Sequence, residues 1–152
     1  GVGVDPALAM LDRARERGIS PVRGVAEALP FADGTFDSAL LVTTVCFVDD
    51  LDQTFREARR VLADDGALLV GYIDRESPVG KVYLDRQDEN PFYREATFVS
   101  TEEVLASIED AGYGDVELVQ TVFAWPDEMT GADPVEDGYG EGSFVALRAE
   151  RG

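Results

Sequence analysis

The sequence predicts an α/β protein built on a mostly parallel sheet. Three observations lead there. Short apolar or β-branched runs alternate with stretches of helical periodicity along the 152 residues. The longest apolar run, Phe36 to Val45, is nearly unbroken, as in a central parallel strand covered on both faces. Between Leu51 and Leu62, the residues Leu51, Phe55, Ala58 and Leu62 fall on one face of a helix.

The elements follow in order. Val2 to Val4 reads as a short strand that stops at Asp5-Pro6, an N-cap followed by proline at the first helical position. Ala7, Met10, Leu11 and Ala14 continue as a helix that Gly18 closes. Pro21 to Gly24 is extended. Leu29 and Phe31 are expected to plug the sheet end, and Asp33-Gly34 to turn the chain into the long strand. Asp50 and Gln53 form a capping pair for the helix that follows.

Asp64-Asp65-Gly66 reads as a turn into a second buried strand, Ala67 to Ile73. Residues 74–99 are polar and mixed, a short helical insertion. Ser100 to Glu103 is a capping box, and Val104, Leu105, Ile108 and Ala111 form the apolar face behind it. Val116 to Phe123 and Phe144 to Leu147 read as the last two strands. With no helix between them, they are expected to pair antiparallel at one edge of the sheet. Residues 126–142 hold six acids and no base, and read as a loop. The whole, 1–152, reads as a single domain.

Composition narrows the function. There is no histidine and only one cysteine, Cys46, so Ser-His-Asp, Cys-His and cysteine-rich zinc chemistry are excluded. Cys46 sits among apolar neighbours and reads as core. The net charge of −18 argues against a nucleic-acid or anionic-membrane partner. No stretch reaches the ~20 apolar residues of a membrane span, and nothing reads as a signal peptide; a cytoplasmic protein is expected. Lys81 is the one lysine, against twelve arginines. Acidic excess with so little lysine suits a salt-rich, halophilic cytoplasm, where close screening relieves the repulsion among carboxylates.

In open α/β sheets, ligands bind beyond the carboxyl ends of the strands. Asp5 follows the first strand, where a carboxylate either holds both hydroxyls of a ribose or simply caps the next helix. Thr43, Thr44, Cys46 and Phe47 follow the third strand. Asp74, Glu76 and Tyr72 lie at the end of the fourth, as groups of a solvated loop or as candidate bases; Trp125 and Tyr139 flank the acidic loop, as packing aromatics or as walls of a pocket.

The order and spacing of several pieces resemble one family. They are Val4-Asp5-Pro6, Gly24 to Phe31 with its Leu29-Pro30-Phe31, Phe36-Asp37, Arg59 to Leu62 with Gly66 to Val70, and Ala96 to Ser100 leading to Ala111-Gly112-Tyr113. Together they resemble the class I S-adenosylmethionine-dependent methyltransferases, in the small-molecule, methyltransferase type 11-like branch. The resemblance implies a Rossmann-like sheet and a small-molecule methyl acceptor, with residues 74–99 and 125–142 on the substrate side. It implies S-adenosylmethionine as cofactor, with Asp5 on the ribose and Pro6 and Met10 near the adenine face. Val25 and Ala26 would line the adenine edge, with Glu27 a substitute acceptor for the adenine amino group. Thr43 and Phe47 would stand by the methionine part.

The family's first strand and Gly-rich loop belong about 20 residues before the acidic residue. They have no counterpart here, so the resemblance implies a chain truncated at its front, its sheet open between the strands ending at Val4 and Thr43. Two other readings stay open: a non-catalytic methyltransferase-like domain or orphaned fragment, and a nucleotide-dependent oxidoreductase, where ribose-binding acids also occur.

Overall fold

A computed structural model describes residues 1–152, the side chain of Pro126 excepted. Among the described residues there are seven strands and four α-helices. They are β1 (Val2–Asp5), α1 (Leu8–Glu16), β2 (Ser20–Arg23), β3 (Phe36–Val42), α2 (Leu51–Val61), β4 (Leu62–Ile73), α3 (Pro78–Asp85), α4 (Thr101–Asp110), β5 (Gly114–Thr121), β6 (Glu136–Asp137) and β7 (Phe144–Glu150). Short 3-10 turns span Gln87–Glu89 and Pro126–Glu128.

The strands form two sheets. β1 and β2 pair parallel, and a five-stranded sheet runs in the order β3-β4-β7-β5-β6. β3 and β4 are parallel; β7 runs antiparallel to both β4 and β5, which therefore point the same way. The expected antiparallel pairing of the last two long strands is present. β7 does not end the sheet, however: it is inserted between β4 and β5, and the edge is the two-residue β6. That short strand lies inside the segment expected to be all loop. β1 and β3 each keep one edge unpaired among the described residues.

Local chemistry sets the helix ends. Gly18, at φ 76°, closes α1 while its amide donates to Arg15 O and the amide of Ile19 to Ala14 O, a pair of bonds that satisfies the last carbonyls. The start of α1 differs from expectation. Its N-cap is Ala7, not Asp5; the Asp5 Oδ1 accepts the amide of Ala7 at 2.7 Å in a local turn, and the helix begins two residues after Pro6. The capping box of α4 forms with both of its bonds, Ser100 to Glu103 and back. The expected turn at 64–66 becomes an irregularity within β4: Phe36 pairs with Leu62, and the next partners are Ser38 and Ala67.

The core lies on one face of the larger sheet. Leu68, Val70 and Tyr72 of β4 and Val145, Leu147 and Ala149 of β7 point to that face. There they meet Phe55 and Ala58 of α2 and Val104 and Ile108 of α4. Burying each large side chain contributes about 1.5–3 kcal/mol. The opposite face departs from expectation. Leu40 is 70% exposed and Val42 48%. The strand expected to be covered on both faces is covered on one, because the core helices pack on the other side.

Candidate functional site

The candidate residues gather at the carboxyl ends of the parallel strands. Asp5 ends β1; residues 25–28 follow β2; Thr43 to Phe47 follow β3. Asp5 is half-buried, and its Oδ2 has no protein partner among the described residues. Pro6 is exposed beside it, and Val25 is 44% exposed in a small turn that bridges to Ala28. Ala26 is half-buried in the same turn.

Glu27 joins this turn to the loop after β3. Its Oε1 accepts the amides of Asp49 at 2.7 Å and Asp50 at 3.4 Å, and its carbonyl accepts from the Gln53 side-chain amide. Gln53 thus reaches across to Glu27, while Asp50 caps α2 through the Gln53 amide. One oxygen of the Glu27 carboxylate expected near the adenine amino group is thus held by main chain, and Oε2 has no protein partner among the described residues.

Thr43 occupies the left-handed region at φ 50°, where a β-branched residue is rare. Its amide donates to Gly71 O at 2.7 Å and its hydroxyl to Val42 O. Val122, at φ 64°, holds the same conformation just past β5. Strain of this kind collects where a chain serves a ligand. Cys46 is buried, as expected of a core residue, and burial pushes its thiol pKa up. Phe47 is 42% exposed and meets Phe92 edge-on at 5.6 Å.

Met10, on α1 five residues after Asp5, is 48% exposed. It lines a cavity of about 210 Å³ with Arg13, Ala14, Arg17 and Ile19, and none of the other candidates borders that space.

Tyr72 and Asp74 also depart from expectation as groups facing an acceptor. Each is 1% exposed. The Tyr72 hydroxyl donates to Thr101 Oγ1, whose own proton goes to Asp74 Oδ2 at 2.9 Å; Asp74 Oδ1 takes the amide of Glu76. Desolvation raises the Tyr72 pKa further above its ordinary value. These groups fasten the end of β4 to α4, and their polar atoms are spoken for. The Glu76 carboxylate turns to Arg75 at 3.4 Å.

Trp125 and Tyr139 part company. Trp125 lines a cavity of about 540 Å³ with Tyr83, Arg86, Glu89, Asn90, Pro91 and Tyr93, and Tyr139 does not border it. Within 74–99 no local signal singles out Tyr83, Arg86 or Tyr93; Tyr83 and Arg86 touch the Trp125 ring and Tyr93 touches Tyr83 because α3 and the turn after it bring these stretches together.

A further cluster holds the Leu29-Pro30-Phe31 segment. The Arg60 guanidinium donates to the carbonyls of Leu29 and Phe31, to Asp33, and to both oxygens of Glu57; Glu57 in turn accepts the amide of Leu29 at 2.8 Å. The Arg60 guanidinium holds the Glu57 carboxyl below the usual carboxylate range.

Comparison with known proteins accords with this geometry. The family model of a methyltransferase domain matches residues 1–70. A SAM-dependent methyltransferase of Thermotoga maritima, described as a possible histamine N-methyltransferase, superposes with a TM-score of 0.93 and 44% identity, over 99% of this chain and 72% of that one. The chain belongs to the SAM-dependent methyltransferases. An uncharacterized protein of Methanocaldococcus jannaschii is 37% identical over 150 residues, 99% of this chain and 73% of its own length. A demethylmenaquinone methyltransferase of Corynebacterium kroppenstedtii is 31% identical over 129 residues, and there the match spans 53% of the relative. The strand order of this methyltransferase chain thus has a counterpart in a solved structure, with the acidic end of β1 and the Leu-Pro-Phe segment inside the stretch the family model matches. Among the described residues no helix is long and apolar enough to cross a membrane, and no acidic, histidine or cysteine cluster has the makings of a metal site.

Proposed function

We propose that the protein binds S-adenosylmethionine across the carboxyl ends of β1 to β3 and transfers its methyl group to a small-molecule acceptor. The observation that carries this reading is Asp5. It stands at the end of a parallel strand with one carboxylate oxygen tied to the Ala7 amide and the other free to accept from a ribose hydroxyl. The donor set fits the group: a free carboxylate oxygen for the ribose, exposed Pro6 and Val25 and the Ala26 backbone for the adenine, and strained Thr43 with exposed Phe47 for the methionine end.

The bound cofactor supplies an electrophilic methyl group. The chain's own contribution is position and exclusion of water. Asp5 fixes the ribose. Thr43 and Phe47 bound the space where the acceptor must approach. The acceptor's proton is not taken by Asp74 or Tyr72, whose polar atoms are engaged in the interior. The named relatives carry unlike acceptors in their names, so no particular acceptor is taken from them.

Calorimetric titration with S-adenosylmethionine and, separately, with NAD tests the reading. In a chain that carries a strand and Gly-rich loop ahead of β1, we expect S-adenosylmethionine to bind and NAD not to, and Asp5→Ala to weaken binding by about 1–3 kcal/mol, the scale of a lost charge-assisted bond; the 152 residues alone are expected to bind it too weakly to saturate at millimolar levels. Tighter binding of NAD would turn the assignment toward an oxidoreductase. Unchanged affinity in a folded Asp5→Ala variant would leave Asp5 with its turn alone.

A further inference from the structure

Beyond the cofactor residues, the structure holds a second built feature over the sheet end. The chain leaves β4 at Asp74, forms α3, turns at Gln87–Glu89 and returns through Tyr93. Trp125 reaches the same place from the end of β5. The cavity of about 540 Å³ between them falls within the 300–1,000 Å³ range of small-molecule sites.

Its walls are flat. Tyr83 and Trp125 lie with ring centroids 5.0 Å apart, tilted by 50°, and Tyr93 meets Tyr83 edge-on at 6.0 Å. From Tyr93 the rings continue through Phe92 at 5.1 Å to Phe47 at 5.6 Å. A row of touching rings thus runs from the cavity wall at Tyr93 to Phe47 in the loop after β3, beside which the methyl group is placed above.

Its charge is also specific. The Arg86 guanidinium sits over the Trp125 ring at 4.9 Å. In a chain with 31 acids against 13 bases, Arg86 has no ion pair among the described residues. The cation place on the tryptophan face is already taken, so a cationic guest would meet like charge there. An anionic group beside Arg86 would gain a planar, two-pronged donor. Glu89 and Arg86 are both exposed, so water weakens both fields; Arg86 is set apart by its seat on the Trp125 ring, and the Glu89 carboxylate disfavours a second negative charge at its own end.

We infer that this cavity is the methyl-acceptor pocket and that it takes a planar aromatic ring carrying one acidic group, the ring on Tyr83 and Trp125 and the acid on Arg86. The assignment rests on the methyltransferase reading for its role, and on the cavity alone for its ligand chemistry.

Trp125 is the only tryptophan, so its fluorescence reports this site and no other. The full chain is titrated with benzoate, benzyl alcohol and benzylammonium at moderate salt, and with S-adenosylmethionine by calorimetry. Benzoate is expected to change the Trp125 emission saturably and at least tenfold more tightly than either other probe. Arg86→Gln is expected to abolish that preference, and Arg86→Lys to restore part of it; Arg86 is exposed, so neither variant threatens the fold. Equal binding of benzylammonium, no saturable change with benzoate, or an unaltered preference in Arg86→Gln would overturn the pocket assignment. Benzoate binding by a chain that carries the Gly-rich loop and yet binds no S-adenosylmethionine would overturn the cofactor placement at Asp5 and leave the pocket's ligand chemistry standing.

Discussion

The carboxylate of Glu27 accepts the main-chain amide of Asp49 at 2.7 Å. That bond, with its companion to Asp50, couples the turn after β2 to the loop after β3 across 22 residues of sequence. Glu27→Ala removes the acceptor and leaves two amides to be rehydrated. We expect it to cost about 1–3 kcal/mol in denaturant unfolding, with Glu27→Gln costing less because one acceptor oxygen remains. Equal stability of the alanine variant and the parent would mean that water replaces the bond without loss.

The Arg60 cluster makes stability depend on acid. The Glu57 carboxyl is held below its ordinary value by Arg60, so the folded state binds that proton less readily than the unfolded chain. Its contribution is therefore complete above the unfolded value of about 4.3 and is lost as the pH falls through the lower, folded value. Glu103, lowered by Arg75, acts in the same direction, discounted because it is half exposed. We expect unfolding midpoints to drop below that pH, and the drop to shrink in Glu57→Gln. An identical acid profile in parent and variant would place the loss elsewhere.

The unpaired edge of β3 is open to a direct measurement. Its amides that face β4 are in ladder bonds, and the alternate ones have no strand to bond. Amide hydrogen exchange should therefore alternate along Phe36–Val42, protected and unprotected by turns. Uniform protection would mean that another strand pairs there in solution.

What the sequence made legible was local. The box at Ser100 and Glu103, the Asp50 cap and the glycine at 18 all act within a few residues, and each forms as its spacing predicts. What stayed hidden depends on distant partners. Asp74 looks like a loop acid until Thr101, 27 residues on, closes over it. Arg60 looks like the exposed end of a helix until the carbonyls of Leu29 and Phe31 reach it. Leu40 and Val42 read as buried because apolar residues usually are; whether a helix covers them is not written in their own segment. That Asp5, Val25, Ala26 and Thr43 each follow the carboxyl end of a strand was legible, because the strand ends are marked within a few residues. The aromatic cavity was not, since its rings come from three separate stretches.

Salt should raise stability. With a net charge of −18, self-repulsion opposes compaction in dilute buffer. We expect Tm to climb steadily toward molar KCl, where the Debye length falls to about 3 Å. A flat profile would show that the acidic surface is well accommodated without ions and would end the halophilic reading.

The bare edge and face of β3 give those ions a second effect. An open row of amides and carbonyls beside Leu40 and Val42 is a template on which another chain can crystallise its own strand. In dilute buffer the charge holds two such molecules apart long before their edges meet. Brine takes that barrier away while it tightens each fold. Where no other strand covers that edge, protein concentration, of little consequence in dilute buffer, then decides between single molecules and edge-to-edge pairs.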